Sequence, residues 1–292
     1  EQLPKLQEYE KHLENLGDRN SYSKIDTDAT FMRMKEDHMK NGQLKAAYNV
    51  QISTENQIIT HFSVHQKSTD FTTLESHLEG FKNAYDKTSK QIIADAGYGS
   101  EENYQMLEQQ QMEFFIPYNM YRMEQKRKHK NNLFHTQNLY HNIELDFLVC
   151  PMGQRMEKIY TKESKTTTGF LQQHSVYQAQ NCQGCPMRGQ CFNAKGNRRI
   201  EINHNLQRLK AKARENLENK EGKEIYAKRC IEPEPVFGNI KQNKHFKRFS
   251  LRKLTKINIE FGLVAIAHNF AKWIEKIRLL GFIQNHRVIE CF

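Results

Sequence analysis

The sequence predicts an α/β fold, a mixed sheet with helices on its faces, and three observations carry that expectation. Two alternating β-rich runs flank a turn in "AYNVQISTENQIITHFSVHQ". Two short apolar runs, "QIIADAG" and "EFFIPY", bracket a helix-forming stretch, and amphipathic helical spacing recurs around them. Strand, strand, helix, strand, helix, strand is the order that lays helices on a sheet.

Each element follows from local pattern. In residues 1–46, a helical and irregular lead-in, Leu6, Tyr9, Leu13 and Leu16 recur at helical spacing and Gly17 closes the run. Residues 18–46 are polar, with Asp28 expected to cap a short helix through Phe31 and Met34. Residues 47–118 form the first part of the core: the hairpin turning at Glu55-Asn56, a helix with Leu74, Leu78, Phe81 and Tyr85 on one stripe, a strand closing on Asp95, a helix opened by Ser100, and the strand "EFFIPY". Residues 119–204 change character: "YRMEQKRKHKNN" is a basic run, and four cysteines and several glycines follow with few long apolar periods, so this region reads as a Cys-containing insertion. Residues 205–292 return to helix and end in "IEFGLVAIAHNFAKWIEKIRLL", whose apolar stripe is expected to pack on the sheet.

The totals set the partner class. The 292 residues suffice for a substantial core, 37% are hydrophobic and 27% charged, and the net charge is +10. A polyanion is therefore the first partner to consider, nucleic acid ahead of an anionic membrane surface. The best apolar run is broken by His268 and Asn269, short of the ~20 residues of a membrane span. No signal peptide is evident, and the expected setting is cytoplasmic. The chain opens on Glu1 inside a helical pattern, which suits either a piece of something longer or a processed product.

Chemistry concentrates on two acids. Asp95 closes an apolar strand, where a carboxylate is costly in a core and useful for a metal at a sheet edge. Glu234 precedes Pro235, a residue suited to a helix's first turn, and Lys241 falls two turns further along the same face. No acid occurs from Pro235 through Ile259, whereas Lys241, Lys244, Lys247, Arg248, Arg252, Lys253 and Lys256 are basic. An acid heading a basic helix suits phosphoryl transfer on nucleic acid, the acid for metal and the cations for phosphates. Phe237, Phe246 and Phe249 could stack on bases, although helical spacing favours a core role.

With "IIADAGYGS", "EPVFGNIKQNKHFKRF" and "LVAIAHNFAKW" in this order, the chain resembles the DDE transposases of bacterial insertion sequences over about residues 20 to 277. The resemblance implies an RNase H-like core, DNA as partner, a homodimer or larger assembly, and two Mg2+ or Mn2+ ions driving strand cleavage and transfer. It assigns Asp95 as the second catalytic acid. It also matches Tyr226, Arg229, Glu234 and Lys241 to a Tyr-x2-Arg-x3-Glu-x6-Lys signature, with one additional residue between Arg229 and Glu234. Glu232 lies nearer Arg229, but Asn239 then stands where the lysine belongs, so Glu234 is preferred. Tyr226, Arg229 and Lys241, with Lys244, Lys247, Arg248 and Arg252, are the implied DNA contacts. The family's first acid lies on a strand ahead of the hairpin. Asp26 is the one serious candidate here, and its first reading is a turn residue. The expectation is a chain lacking its first strand and N-terminal DNA-binding region, with negligible cleavage alone.

Cys182-x2-Cys185-x5-Cys191 with Cys150 matches the four thiolates of a structural Zn2+, although the spacing departs from the common ribbon; reduced cytosolic thiols are the alternative. Cys230 and Cys291 have no role in this scheme. His61, His65, His77 and His268 show no metal-ligand spacing and read as surface or core residues, and Glu101 and Glu102 as solvated faces and caps. Three functions therefore stand: a transposase catalytic region, a catalytically incomplete DNA-binding fragment, or another metal-dependent nuclease that cuts without joining.

Overall fold

The computed structural model describes residues 2–34 and 41–287. In chain order the elements are α1 (Gln2–Leu16), β1 (Thr30–Arg33), β2 (Leu44–Ala47), β3 (Asn49–Glu55), β4 (Ile58–His65), α2 (Leu74–Tyr85), β5 (Gln91–Ile93), α3 (Glu101–Gln109) and β6 (Glu113–Phe115). The short helices α4 (Tyr121–Glu124) and α5 (Arg127–Lys130) follow, then β7 (Tyr140–Asn142), β8 (Phe147–Val149), β9 (Arg155–Lys165), β10 (Leu171–Ala179), α6 (Arg188–Cys191) and β11 (Arg199–Ile202). Four helices complete the order: α7 (His204–Glu218), α8 (Lys220–Ala227), α9 (Pro233–Gly238) and α10 (Leu254–Arg287). The α/β class expected from sequence is what forms, but the single mixed sheet is not: among the described residues the strands pair in four separate sheets, with the hairpin apart from the parallel pair. The chain divides into two compact units, one of residues 1–89 with 224–292 and the other of residues 90–223.

The first unit is organised on the β3–β4 hairpin. Its turn places Asn56 and Gln57 at positive φ, the geometry that matches a two-residue turn to strand twist. The pairing shifts register between Ser53 and Thr54 and leaves Thr60 unpaired, so Ile59 and Phe62 both reach one face despite their spacing. On that face Ile59 meets Val236, Ile240, Phe261 and Ala265, with Val50, Ile52 and Phe62 packed alongside. This is the apolar stripe of α10 packing on strands, as expected. The other face meets α2 through a polar contact: the buried His77 ring shares hydrogen bonds with Ser53 Oγ (2.8 Å) and Ser63 Oγ (2.7 Å).

Residues 30–33 correct one expectation. They form strand β1, antiparallel to β2, with Thr30 and Met32 inward, rather than a helix capped by Asp28. The alternating burial of Thr30, Phe31, Met32 and Arg33 is a period of two, which outweighs the local cap signal. Asp28 caps a helix far along the chain instead: its Oδ2 accepts from Leu254 N (2.9 Å), while Asp26 Oδ1 accepts from Lys253 N (3.1 Å). The two carboxylates thus serve the N-terminus of α10, where backbone donors lack helical partners. The remainder of the lead-in at residues 35–40 lies outside the described residues, as does Cys291.

In the second unit β5 and β6 pair in parallel, joined by α3, a right-sized βαβ connection. Residues 140–202, read from sequence as a segment short of regular structure, build a five-stranded antiparallel sheet in the order β11-β10-β9-β8-β7. Its core of Leu148, Met156, Tyr177, Ala179, Ile200 and Ile202 takes only one or two residues from each of four strands, so no single stretch shows a long apolar period. Helix α7 adds Leu209, Ala213 and Leu217 as a buried stripe at intervals of one turn.

Burial holds the His77 imidazole down at about 3, with His61 and His65 adding to the effect. Above the ordinary value of 6.5 the ring is neutral whether folded or not; below it only the unfolded chain takes up the proton. Stability should therefore fall by up to about 1.4 kcal/mol per pH unit from this residue as pH drops from 6.5 toward 3. Urea unfolding across that range should show the slope, and H77Q should flatten it; an unchanged slope in H77Q would contradict the assignment.

Candidate active-site residues and DNA contacts

Asp95 lies in the second unit, two residues past the end of β5, as the sequence pattern indicated. Its Oδ1 accepts from Gly97 N (2.8 Å) and starts a tight turn over Ala96–Tyr98. Oδ2 has no hydrogen-bond partner among the described residues and is available to a ligand. Gly99 then passes so close to β6's extension that a Cβ there would stand 2.4 Å from the Pro117 carbonyl oxygen and 2.9 Å from Tyr118 Cα. The Asp95 loop is thus fixed by a backbone approach that only glycine permits. Ser100 accepts from Asn103 N (3.2 Å) to cap α3, as predicted, and Tyr104 ties the helix down by donating to Ile116 O (2.8 Å).

Glu101 is the residue that sequence reasoning missed. Expected on a solvated face, it is 4% exposed and its carboxylate accepts from the side-chain amides of Gln172 (2.8 Å), Asn203 (2.6 Å) and Asn205 (2.9 Å). Three amides replace water around a buried carboxylate at a helix N-terminus, and they bind α3 to β10 and to the start of α7. The donors lie about seventy and one hundred residues away in sequence, so no local pattern marks them. Glu102 does remain near the surface, where it accepts from Thr168 Oγ1 (2.6 Å).

Glu234 lies in the first unit, in the first turn of α9, with Pro233 at the helix start. One oxygen pairs with Arg229 Nη2 at 2.8 Å, and the Arg229 guanidinium in turn lies 5.7 Å from the Tyr226 ring centre. Tyr226, Arg229 and Glu234, linked in sequence only by the signature spacing, are neighbours here. Glu232 is differently employed: its Oε2 accepts from Gln57 N (2.8 Å) at the hairpin turn. The structure therefore separates the two acids, one committed to the fold and one half exposed with Oε2 unengaged among the described residues.

The basic stretch is not one continuous helix, as the sequence suggested. After α9 the chain makes a π-turn over Asn239–Asn243 and then runs irregularly to α10. Lys241 is carried on the π-turn, with its ammonium 5.8 Å from the Phe237 ring centre. Lys247, Arg248 and Arg252 are exposed along the irregular run; Lys244, also exposed, donates to Ala267 O (3.1 Å). Phe246 and Phe249 pack against the hairpin core, which settles their role as apolar anchors.

Asp26, the sequence's candidate for a further acid, is engaged at both oxygens, accepting from Lys253 N and from Tyr48 OH (2.8 Å). Burial first, and this hydrogen bond second, raise the Tyr48 phenol. Among the described residues no group of three or more His, Cys, Asp or Glu stands arranged to hold a metal. The zinc expectation is accordingly not supported. Cys150 and Cys182 pack on the sheet core as small hydrophobes, while Arg198 donates to the sulfurs of Cys191 (3.1 Å) and, through its backbone, Cys182 (3.4 Å). For Mg2+ or Mn2+ the chemistry of the open donors fits: Asp95 and Glu234 each offer a hard carboxylate oxygen.

Residues 149–274 match the family model for the transposase DDE domain. Over this segment the chain is similar to that domain. The matched region includes Tyr226, Arg229, Glu234 and Lys241 and begins after Asp95. No curated protein and no solved structure matches the chain. DDE transposases act in DNA transposition, with DNA as partner and divalent metal ions in support. No helix among the described residues is long and apolar enough to cross a membrane.

Replacing Gly99 should expose the constraint on the Asp95 loop. G99A is expected to destabilise the protein by about 1–3 kcal/mol, the range for forcing extra atoms into a packed site. Chemical denaturation checks this, and a G99A protein as stable as the parent would show that the loop yields freely.

Proposed function

We propose that the chain is the catalytic region of a DNA transposase of insertion-sequence type, with an RNase H-like core, which cleaves and joins DNA strands at element ends. The observation that carries the reading is the division of labour at the start of α9: Glu232 is bound to the hairpin turn, whereas Glu234, inside the family match, keeps an open oxygen beside Arg229.

Asp95 and Glu234 are the residues that would hold divalent metal, which when bound supplies a Lewis acid for the phosphoryl oxygens and a more acidic water or 3′-hydroxyl. Arg229 orients the Glu234 carboxylate by its 2.8 Å contact. Lys241, seven residues beyond Glu234, is assigned to an end phosphate, and Lys244, Lys247, Arg248 and Arg252 to the flanking backbone. Tyr226 supports Arg229 through its ring.

The alternative, a catalytically incomplete DNA-binding fragment, has one observation in its favour: both oxygens of Asp26 are occupied, one by Lys253 N and the other by the Tyr48 hydroxyl. The two readings part in one experiment on end-containing DNA with Mg2+ or Mn2+. A complete site gives metal-dependent cleavage and joining that D95N or E234Q lowers by about three orders of magnitude, several kcal/mol of transition-state stabilisation, with DNA binding retained. A fragment binds without cutting in every variant. Cleavage that survives E234Q would reject the assignment of Glu234, and cutting without joining would point to a nuclease instead.

Binding itself carries a separate signature. K247Q and R248Q should each weaken affinity irrespective of DNA sequence and reduce the slope of log K against log salt by about one. Fluorescence anisotropy over a salt series measures this, and slopes equal to the parent's would remove these cations from the interface.

A further inference from the structure

Helix α10 carries two apolar faces. Phe261 and Ala265 enter the hairpin core, and Ile257 and His268 are buried at the same helical spacing. A different set is left in solvent: Ile259, Leu263, Ile266, Phe270, Trp273 and Ile277 are 51–64% exposed. Their separations alternate four, three, four, three, four residues along the sequence. That is a period of 3.5, the repeat of a seam between two supercoiled helices, whereas a helix packed on a sheet follows 3.6. Written as a heptad, the exposed residues fill successive a and d positions, and the buried Phe261 and His268 fall at f, on the opposite side.

The spacing specifies what covers the face: another helix with the same repeat. A second α10 provides one, and the side-chain sizes select its direction. In an antiparallel pair centred near His268, Trp273 meets Leu263, Phe270 meets Ile266 and Ile277 meets Ile259, so each ring faces an aliphatic partner. A parallel pair would stack Trp273 and Phe270 on their own copies in adjacent layers. Interdigitating large with small packs a core without voids, and antiparallel helices also set their dipoles head to tail. At on the order of 100 Å2 from each exposed side chain, the seam offers roughly 600 Å2 per copy before the neighbouring Ile274 is added, approaching the roughly 800 Å2 per partner of a standard interface.

We propose that α10 is a self-association seam, on which a second copy of this chain lays its own α10 antiparallel through Ile259, Leu263, Ile266, Phe270, Trp273 and Ile277. The two-fold is isologous, each copy giving the same residues it receives. The inference stands on the helix alone and is independent of the reaction assigned above.

Sedimentation velocity of the full chain at tens of micromolar tests it. The parent should be dimeric, L263E or F270E should weaken the dimer by at least about tenfold, and A271E, exposed but off the seam, should leave it intact. Circular dichroism confirms that the variants keep their helix. Should a charged variant fail to fold, disulfide mapping decides: in a C230S background, L263C chains mixed with W273C chains should link to each other in preference to themselves. A monomeric parent, a dimer indifferent to L263E and F270E, or dominant self-linking of L263C would overturn the proposal.

Discussion

The first unit depends on how the turn of its hairpin is held. A two-residue turn leaves backbone groups that need partners once helices cover it, and two side chains from late in the sequence supply them, one of them held by a third. Glu232 accepts from Gln57 N, His268 Nε2 donates to Gln57 O (2.9 Å), and Asn239 donates to the other His268 nitrogen (3.2 Å). Next to them Asn269 both donates to and accepts from the Ile59 backbone, each at 2.8 Å, and so continues the strand's hydrogen bonding into a helix side chain. Burial lowers the His268 pKa, which keeps the ring in the neutral form that these two bonds require. Because the clasp uses Glu232, His268 and Asn269, it fixes where α9 starts, and with it the orientation of Glu234 beside Arg229.

The second unit solves a comparable problem by a buried charge. Glu101 would be expensive in an apolar setting, yet three amides surround it and each belongs to a different part of the fold from α3. The same helix is preceded by the Gly99 approach and the Asp95 turn, so the position of Asp95 is inherited from contacts made by its successors in sequence. In both units the candidate acid lies a few residues from a neighbour that does structural work.

Much of this organisation was legible in the sequence where the signal is local. The hairpin, helix α2, the strand before Asp95 and the Ser100 cap all rest on local patterns, and all form, although of the stripe expected on α2 only Leu74 is buried and Tyr85 is exposed. Long-range partners were not legible. Asp28 looked like the cap of the next helix and caps one more than two hundred residues later, because the strand period of Thr30 and Met32 prevails nearby. Glu101 gave no sign of burial, since its amide donors come from β10 and from the start of α7. The preference for Glu234 over Glu232 followed from the lysine spacing in the signature, and the structure adds a physical reason that the sequence could not contain, the claim of Gln57 on Glu232. The seam on α10 was hidden by a helix that is apolar on two sides, so that one stripe was read as the whole.

The central proposal is that Asp95 and Glu234 each serve as a ligand of divalent metal. Iron-mediated hydroxyl-radical cleavage of the protein tests it without DNA: Fe2+ bound in place of Mg2+ cuts the backbone beside its ligands. The account predicts a cut near residue 95 that D95N abolishes and a cut near residue 234 that E234Q abolishes, both suppressed by excess Mg2+. Absence of a cut near either position, or a cut that persists in the variant of its own residue, would contradict it.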